Sequence, residues 1–314
     1  MFKGVDFWPH GTKIPVMEWR KFCITVSWVV AMAALALLFT KGLNFGIDFK
    51  GGSLFEIQSK AGPLEIAKLR ETLTGLNLGE VQIQGLDKDT EALIRMEQQK
   101  EGGEKAQQDA AAKVQEALGS DVTIRRQEVV GAAVSNELKS AGLWAVSLAI
   151  VGIMLYVWFR FEWQFGVAAI LALLHDIIIT TGVFSLLGWD FGLTEVAAIL
   201  TLAGYSINDT VVVFDRIREN LRKFKKMPLI DLMNLSINET LSRTVLTAST
   251  VFLAVLALYI FGTEVIRGFS FAMLFGILIG TWSSIFVASP FLLYMGVKRD
   301  WSDQAAKGAA ATKA

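Results

Sequence analysis

Asp209 is the residue that most asks for a chemical explanation, because it sits in an apolar run with Ser206 one turn before it and Asn208 and Thr210 beside it. A carboxylate in hydrocarbon costs about 2.5–3.5 kcal/mol on insertion scales, so it must face protein or water. A carboxyl held between a desolvating wall and a cation can load and release a proton; the alternative is a static hydrogen bond between helices. Arg243, at the entrance to the next apolar run, is the candidate cation. Arginine keeps its charge, so it can act on a carboxyl by approach and withdrawal; it can equally be an anchor that snorkels to the headgroups. His175-Asp176 interrupts another apolar run. An imidazole suits a proton relay, and a neutral pair bonded across helices fits the same residues.

Other ionisable groups read more simply. Asp190 and Glu195 fall at the end of a run and are expected at the membrane interface, with proton entry as the second possibility. Asp215, Arg216, Arg218 and Glu219 read as solvated helix pairs. Cys23 has no second cysteine to pair with, so neither a disulfide nor a thiolate metal site is expected.

The elements that must hold these residues follow from hydropathy. The chain is 53% hydrophobic and 19% charged, with a mean hydropathy of +0.46, more apolar than a soluble core can hide. Thirty basic and thirty acidic residues cancel, which gives no global field for nucleic acid. Six stretches have the length of a membrane span: 22–40, 140–159, 163–189, 191–214, 244–263 and 268–297. Pro290 predicts a kink or fray in the last. In that span Gly276 and Gly280, continued by Ser283 and Ser284, form a small-residue face on which another helix can pack closely, as part of a partner surface. The apolar run after Lys21 lacks a small-residue cleavage pattern, so the first span is expected to be retained.

Basic residues orient the spans. Those of the N-terminus (1–21), Arg160, the 215–243 connection and the tail (298–314) fall on one side, whereas outside the long insertion the other side has Arg267 alone. The positive-inside rule puts the first set in the cytoplasm and the 41–139 insertion outside. The tail is poor in apolar residues and is expected to be disordered. The insertion alternates periodicities: a strand over 51–59, a helix over 63–76 with Pro63 in its first turn and Leu64, Ala67, Leu69 and Leu73 as its stripe, short strands over 81–86 and 92–96, a helix over 104–118, and a strand over 122–130. The order is βαββαβ, a ferredoxin-like domain. Gly46, Gly51, Gly52, Gly131 and Gly142 are expected to serve as hinges, and Asp48 to fix a turn or a docking contact.

Two segments carry a family resemblance. Leu43-Asn44-Phe45-Gly46-Ile47-Asp48-Phe49-Lys50-Gly51-Gly52 resembles the Gly-Ile-Asp-Phe-x-Gly-Gly segment of the SecD/SecF family, and the stretch from Gly204 to Asn220 resembles the signature of its SecF branch. Ser242-Arg243-Thr244-Val245-Leu246-Thr247 is a third match. The resemblance implies an α-helical polytopic membrane protein of the resistance-nodulation-division superfamily: half of such a transporter, with an extracytoplasmic ferredoxin-like domain. It implies a non-enzymatic subunit of the bacterial inner membrane that uses the proton motive force to promote preprotein export after the ATP-driven step. SecD, the SecYEG channel, the translocating preprotein, YajC and YidC are the implied partners. Protons are the coupling ion, with no other cofactor or metal expected, and no Gly-x-x-x-x-Gly-Lys-Ser/Thr phosphate loop is present. The resemblance also favours Asp209 and Arg243 as a functional pair. The competing class is a membrane scaffold in which Asp209 only holds helices together. An intramembrane protease using Asp176 and Asp209 would need a Tyr-Asp plus Gly-x-Gly-Asp pair, which the sequence lacks.

Overall fold

The computed structural model describes residues 12–86, 89–99 and 103–297. The tail expectation for 298–314, and residues 1–11 of the N-terminal segment, lie outside the described residues. The chain divides into two units, one of 1–43, 147–189 and 197–314, the other of 44–146 and 190–196.

The elements run α1 (Arg20–Thr40), β1 (Asn44–Phe45), α2 (Ile47–Lys50), β2 (Gly52–Ser59), α3 (Ile66–Thr74), β3 (Val81–Gly85), β4 (Glu91–Met96), α4 (Gly103–Leu118) and β5 (Val122–Val130). They continue with α5 (Ala132–Arg160), α6 (Trp163–Leu187), β6 (Asp190–Phe191), α7 (Leu193–Lys223), α8 (Leu229–Phe261), α9 (Glu264–Ser283), a π turn (Ser284–Ala288) and α10 (Ser289–Tyr294). Among the described residues six helices are long and apolar enough to cross a membrane.

In the first unit α1 and α9 both pack on α6, and α8 packs on α9. Small residues set the spacing: a Cβ added to Gly182 would lie 2.5 Å from that of Ala34, so α1 and α6 meet nearly backbone to backbone. Lower in the bundle Phe165 and Phe214 meet edge to face at 5.3 Å, in a core shared with Ile217, Met233 and Ile237. The segment expected as a connection, 215–243, is almost wholly helical. α7 continues to Lys223 and α8 begins at Leu229, because apolar residues keep the helical period there: Ile217, Leu221, Leu232, Met233 and Ile237 are all buried. The last span widens into its π turn just before Ser289-Pro290. Proline has no N–H to donate back into the preceding turn, so the backbone there loses a regular partner.

The second unit holds a sheet of order β3-β4-β2-β5, antiparallel throughout. With α3 and α4 as the connections this is the ferredoxin-like arrangement. β4 alternates between partly buried and buried residues, and Phe55, Ile57, Ile94 and Met96 share one core with Leu73 of α3 and Val114 of α4. The expected helix over 63–76 is shorter. The backbone N–H of Leu64 donates to the carbonyl of Asp89, which keeps 63–65 out of the helix, and the inward residues are Ile66, Leu69 and Leu73 while Ala67 is exposed. The helix over 140–159 begins already at Ala132, so Gly142 is a helical residue packed on Phe49 and not a hinge.

Candidate functional site

Asp176 is fully buried and gathers three helices of the first unit. Its Oδ2 accepts from the Ser206 hydroxyl of α7 at 2.5 Å and from the Ser283 hydroxyl of α9 at 2.7 Å. Its Oδ1 lies 2.9 Å from Nδ1 of His175, its neighbour on α6. Gly276 and Gly280 make this convergence possible. A Cβ on Gly276 would lie 2.5 Å from Leu202, and one on Gly280 would lie 3.2 Å from the Cβ of Ser206. The small-residue face expected on a partner surface is therefore used inside the chain, between α9 and α7.

Asp209, one turn beyond Ser206 on α7, is differently placed. It is 3% exposed, and its Oδ2 has no hydrogen-bond partner among the described residues. Thr244 of α8 is the hydroxyl donor nearest to a hydrogen bond with Asp209, and Arg243 acts on it as a charge from further away, but the bond is not closed: the Thr244 hydroxyl also lacks a partner among the described residues. The expected Asp209–Arg243 pairing is not a closed ion pair here. Arg243 is exposed and lines a cleft of about 860 Å3 with Arg160, Asp215, Arg216, Glu219 and Glu239. Thr210 is buried next to Asp209, while Asn208 is exposed. The charged run that follows is more than a solvated face: Arg160 clamps Asp215 at 2.7 and 2.8 Å, and Arg216 reaches Glu239 at 2.7 Å, joining α5 to α7 and α7 to α8.

In the second unit the glycine-rich segment packs against the 190–196 stretch. β1 pairs with β6 in parallel, Asn44 opposite Asp190 and Phe45 opposite Phe191. Asp48 Oδ2 accepts from the Leu193 N–H at 2.9 Å, and Glu195 Oε2 from the Gly192 N–H at 2.7 Å. Two carboxylates thus satisfy free N–H groups at the start of α7, so Asp48 makes a docking contact and Glu195 a local cap. Gly51 and Gly52 hold φ of 74° and 125°, and a Cβ on Gly52 would strike the Met96 carbonyl. Side chains are excluded there on both counts. Gly46 is in ordinary extended backbone (φ −69°, ψ 176°) and faces Gly192. Arg95 of β4 pairs with Asp190, and burial pulls its guanidinium below its ordinary pKa. Sequence reasoning missed Arg95, since nothing in an alternating strand distinguishes one arginine. It also missed Thr244 as a neighbour of Asp209, although Thr244 directly follows the arginine that was singled out.

A bundle with six helices fit to span a membrane, polar groups buried at its centre and a ferredoxin-like domain inserted after its first helix defines a multi-pass membrane transport protein. The model for the protein export membrane protein SecD/SecF, C-terminal, matches residues 110–298, and the SecD/SecF GG motif matches 36–62. The chain belongs to the SecD/SecF family. It is 46% identical to the protein translocase subunit SecF of Cereibacter sphaeroides, over 93% of this chain and 92% of that one. It is 45% identical to the SecF of Desulfurispirillum indicum, covering 91% of that protein. The SecDF of Brucella abortus is 42% identical, and there the chain spans 38% of the relative's length. The crystal structure of SecDF from Thermus thermophilus superposes with a TM-score of 0.83 at 36% identity, over 92% of this chain and 39% of that one.

Proposed function

We propose that the chain is the SecF-like half of a proton-driven accessory complex of the Sec translocon. It acts with SecD, at the SecYEG channel, to draw preprotein outward after the ATP-driven step, with YajC and YidC as further partners. The SecDF relatives support the SecD assignment, because in them the region matched by this chain is part of one longer polypeptide. Both termini and the 215–243 hairpin are cytoplasmic in this reading, and the 41–139 insertion is periplasmic and meets the emerging chain. The distribution of basic residues supports that orientation.

The observation that carries the coupling role is the buried Asp209 oxygen without a hydrogen-bond partner. A carboxylate whose task is to tie helices together would have its acceptors filled, as Asp176 has. Asp209 instead has an arginine on the next helix that acts on it from an exposed position, so a proton on the carboxyl changes what holds α7 to α8. Each charge that crosses the membrane field supplies about 2.3 kcal/mol per 100 mV, enough to reverse a bias of that size between two packings. Secretion in membrane vesicles carrying SecD and this chain, with and without a proton gradient, tests it. Asp209→Asn is expected to lose the gradient-dependent stimulation while ATP-driven export persists, and Arg243→Lys to lose most of it. An Asp209→Asn variant that responds fully to the gradient overturns the proposal.

A further inference from the structure

Asp176 and His175 form a dyad whose chemistry the Asp209 reading does not use. Both oxygens of Asp176 are engaged, and Oδ2 alone receives two hydroxyl protons. When Asp176 is ionised both of its oxygens accept and neither donates, and the 2.9 Å contact at Oδ1 then puts the proton on Nδ1 of His175. That leaves Nε2 as a bare lone pair. His175 is 7% exposed, and its Nε2 is buried without a hydrogen-bond partner among the described residues. The opposite tautomer would bury an unpaired N–H, the costlier of the two arrangements.

We propose that Nε2 of His175 is a second proton-binding atom of the transport unit, backed by the Asp176 carboxylate that Ser206 and Ser283 hold in place. This rests on the proton-driven reading above and deepens it. The step is a simple transfer: hydronium or a protonated water gives its proton to the Nε2 lone pair, the imidazolium charge is balanced by Asp176, and the same proton leaves to water on the other side of the cycle. Ser206 and Asp209 lie on the same face of α7, three residues apart. Any change in the Asp176–Ser206 contact is therefore felt by the helix turn that carries Asp209. The groups packed around the dyad leave it the single imidazole of this region. α7 brings Tyr205 and Asp209 near Ser206, α1 offers the Cys23 thiol besides the terminal Arg20 and Lys21, α9 has Glu264 and Arg267 only in its first turn, the π turn has no ionisable group, and α10 has only Tyr294.

The test exploits the scarcity of histidine: the chain has two. Nitrogen-15 NMR of histidine-labelled full chain with SecD in lipid, taken as the difference between His10→Ala and His10→Ala/His175→Gln, isolates one imidazole. Nδ1 is expected to stay protonated at every pH measured, and Nε2 to gain a proton on acidification. Asp176→Asn is expected to abolish that uptake. A Nε2 that is protonated across the whole range, or one that never takes up a proton, overturns the inference. In vesicles His175→Gln is expected to lose gradient-driven stimulation. If it responds fully while Asp209→Asn does not, the dyad is structural and the Asp209 reading stands. If Asp209→Asn responds fully, that reading falls, and the NMR titration still decides His175.

Discussion

Asp176 and Asp209 are two buried carboxylates of one helical unit, and the protein treats them in opposite ways. Asp176 sits where side chains of α6, α7 and α9 meet, with three donors on its two oxygens. Asp209 sits one turn along from Ser206, between α7 and α8, with an oxygen that nothing fills and a cation that stays at the surface. Donors that converge on a carboxylate offset the cost of burying it, whereas an unfilled acceptor leaves that cost unmet. The difference teaches that burial alone does not distinguish two carboxylates of one bundle; the count of satisfied lone pairs does.

Removing each carboxyl should show the contrast most strongly. Asp176→Ala strips three hydrogen bonds, at about 0.6–1.7 kcal/mol each in a membrane, so a loss of about 2–5 kcal/mol is expected. Asp209→Ala removes no filled acceptor at Oδ2 and takes away a buried polar oxygen without a partner, so its loss of stability should be clearly smaller than that of Asp176→Ala. Unfolding in mixed micelles measures both, and equal losses would break the comparison. A smaller effect is expected from the packing that holds Ser206 against Asp176. Gly280→Ala brings a methyl to 3.2 Å from the Ser206 Cβ and should cost about 1 kcal/mol by the same measurement. Gly204→Ala, where an added Cβ meets nothing within 4 Å, should cost nothing.

The smallest effect belongs to a third carboxylate, outside the spans. Glu162 lies in the turn between α5 and α6; burial pushes its pKa up, while Arg218 and Arg222 pull it down with less force. The folded carboxyl keeps its proton to higher pH than in an unfolded chain, so ionising it works against the fold. Stability should fall slightly as pH rises from the ordinary carboxylate range through the raised folded value, then level off. Glu162→Gln should flatten that slope in a thermal unfolding series across pH; an unchanged slope would assign it to another group.

Six spans, a βαββαβ insertion and the placement of Asp209 away from lipid were legible in the sequence, because each depends on local facts. A span needs a run of apolar residues of a certain length, a strand or helix needs its period, and a carboxylate in hydrocarbon is costly wherever the helix goes. Helix ends were less legible: whether 63–65 and 132–139 are helical depends on a hydrogen bond to Asp89 and on the continuation of a long span. Tertiary structure alone decided partners. The sequence places His175 and Asp176 side by side but does not say that serines from two other helices reach the same oxygen, since the residues of that contact are 30 and 107 positions apart. Nor does it tell that Gly276 and Gly280 face α7 of their own chain, because a small-residue stripe looks the same whichever helix it packs against. Which side a residue faces is fixed by its period, but what it meets there is fixed by how separate helices pack, and that packing is a property of the whole folded bundle.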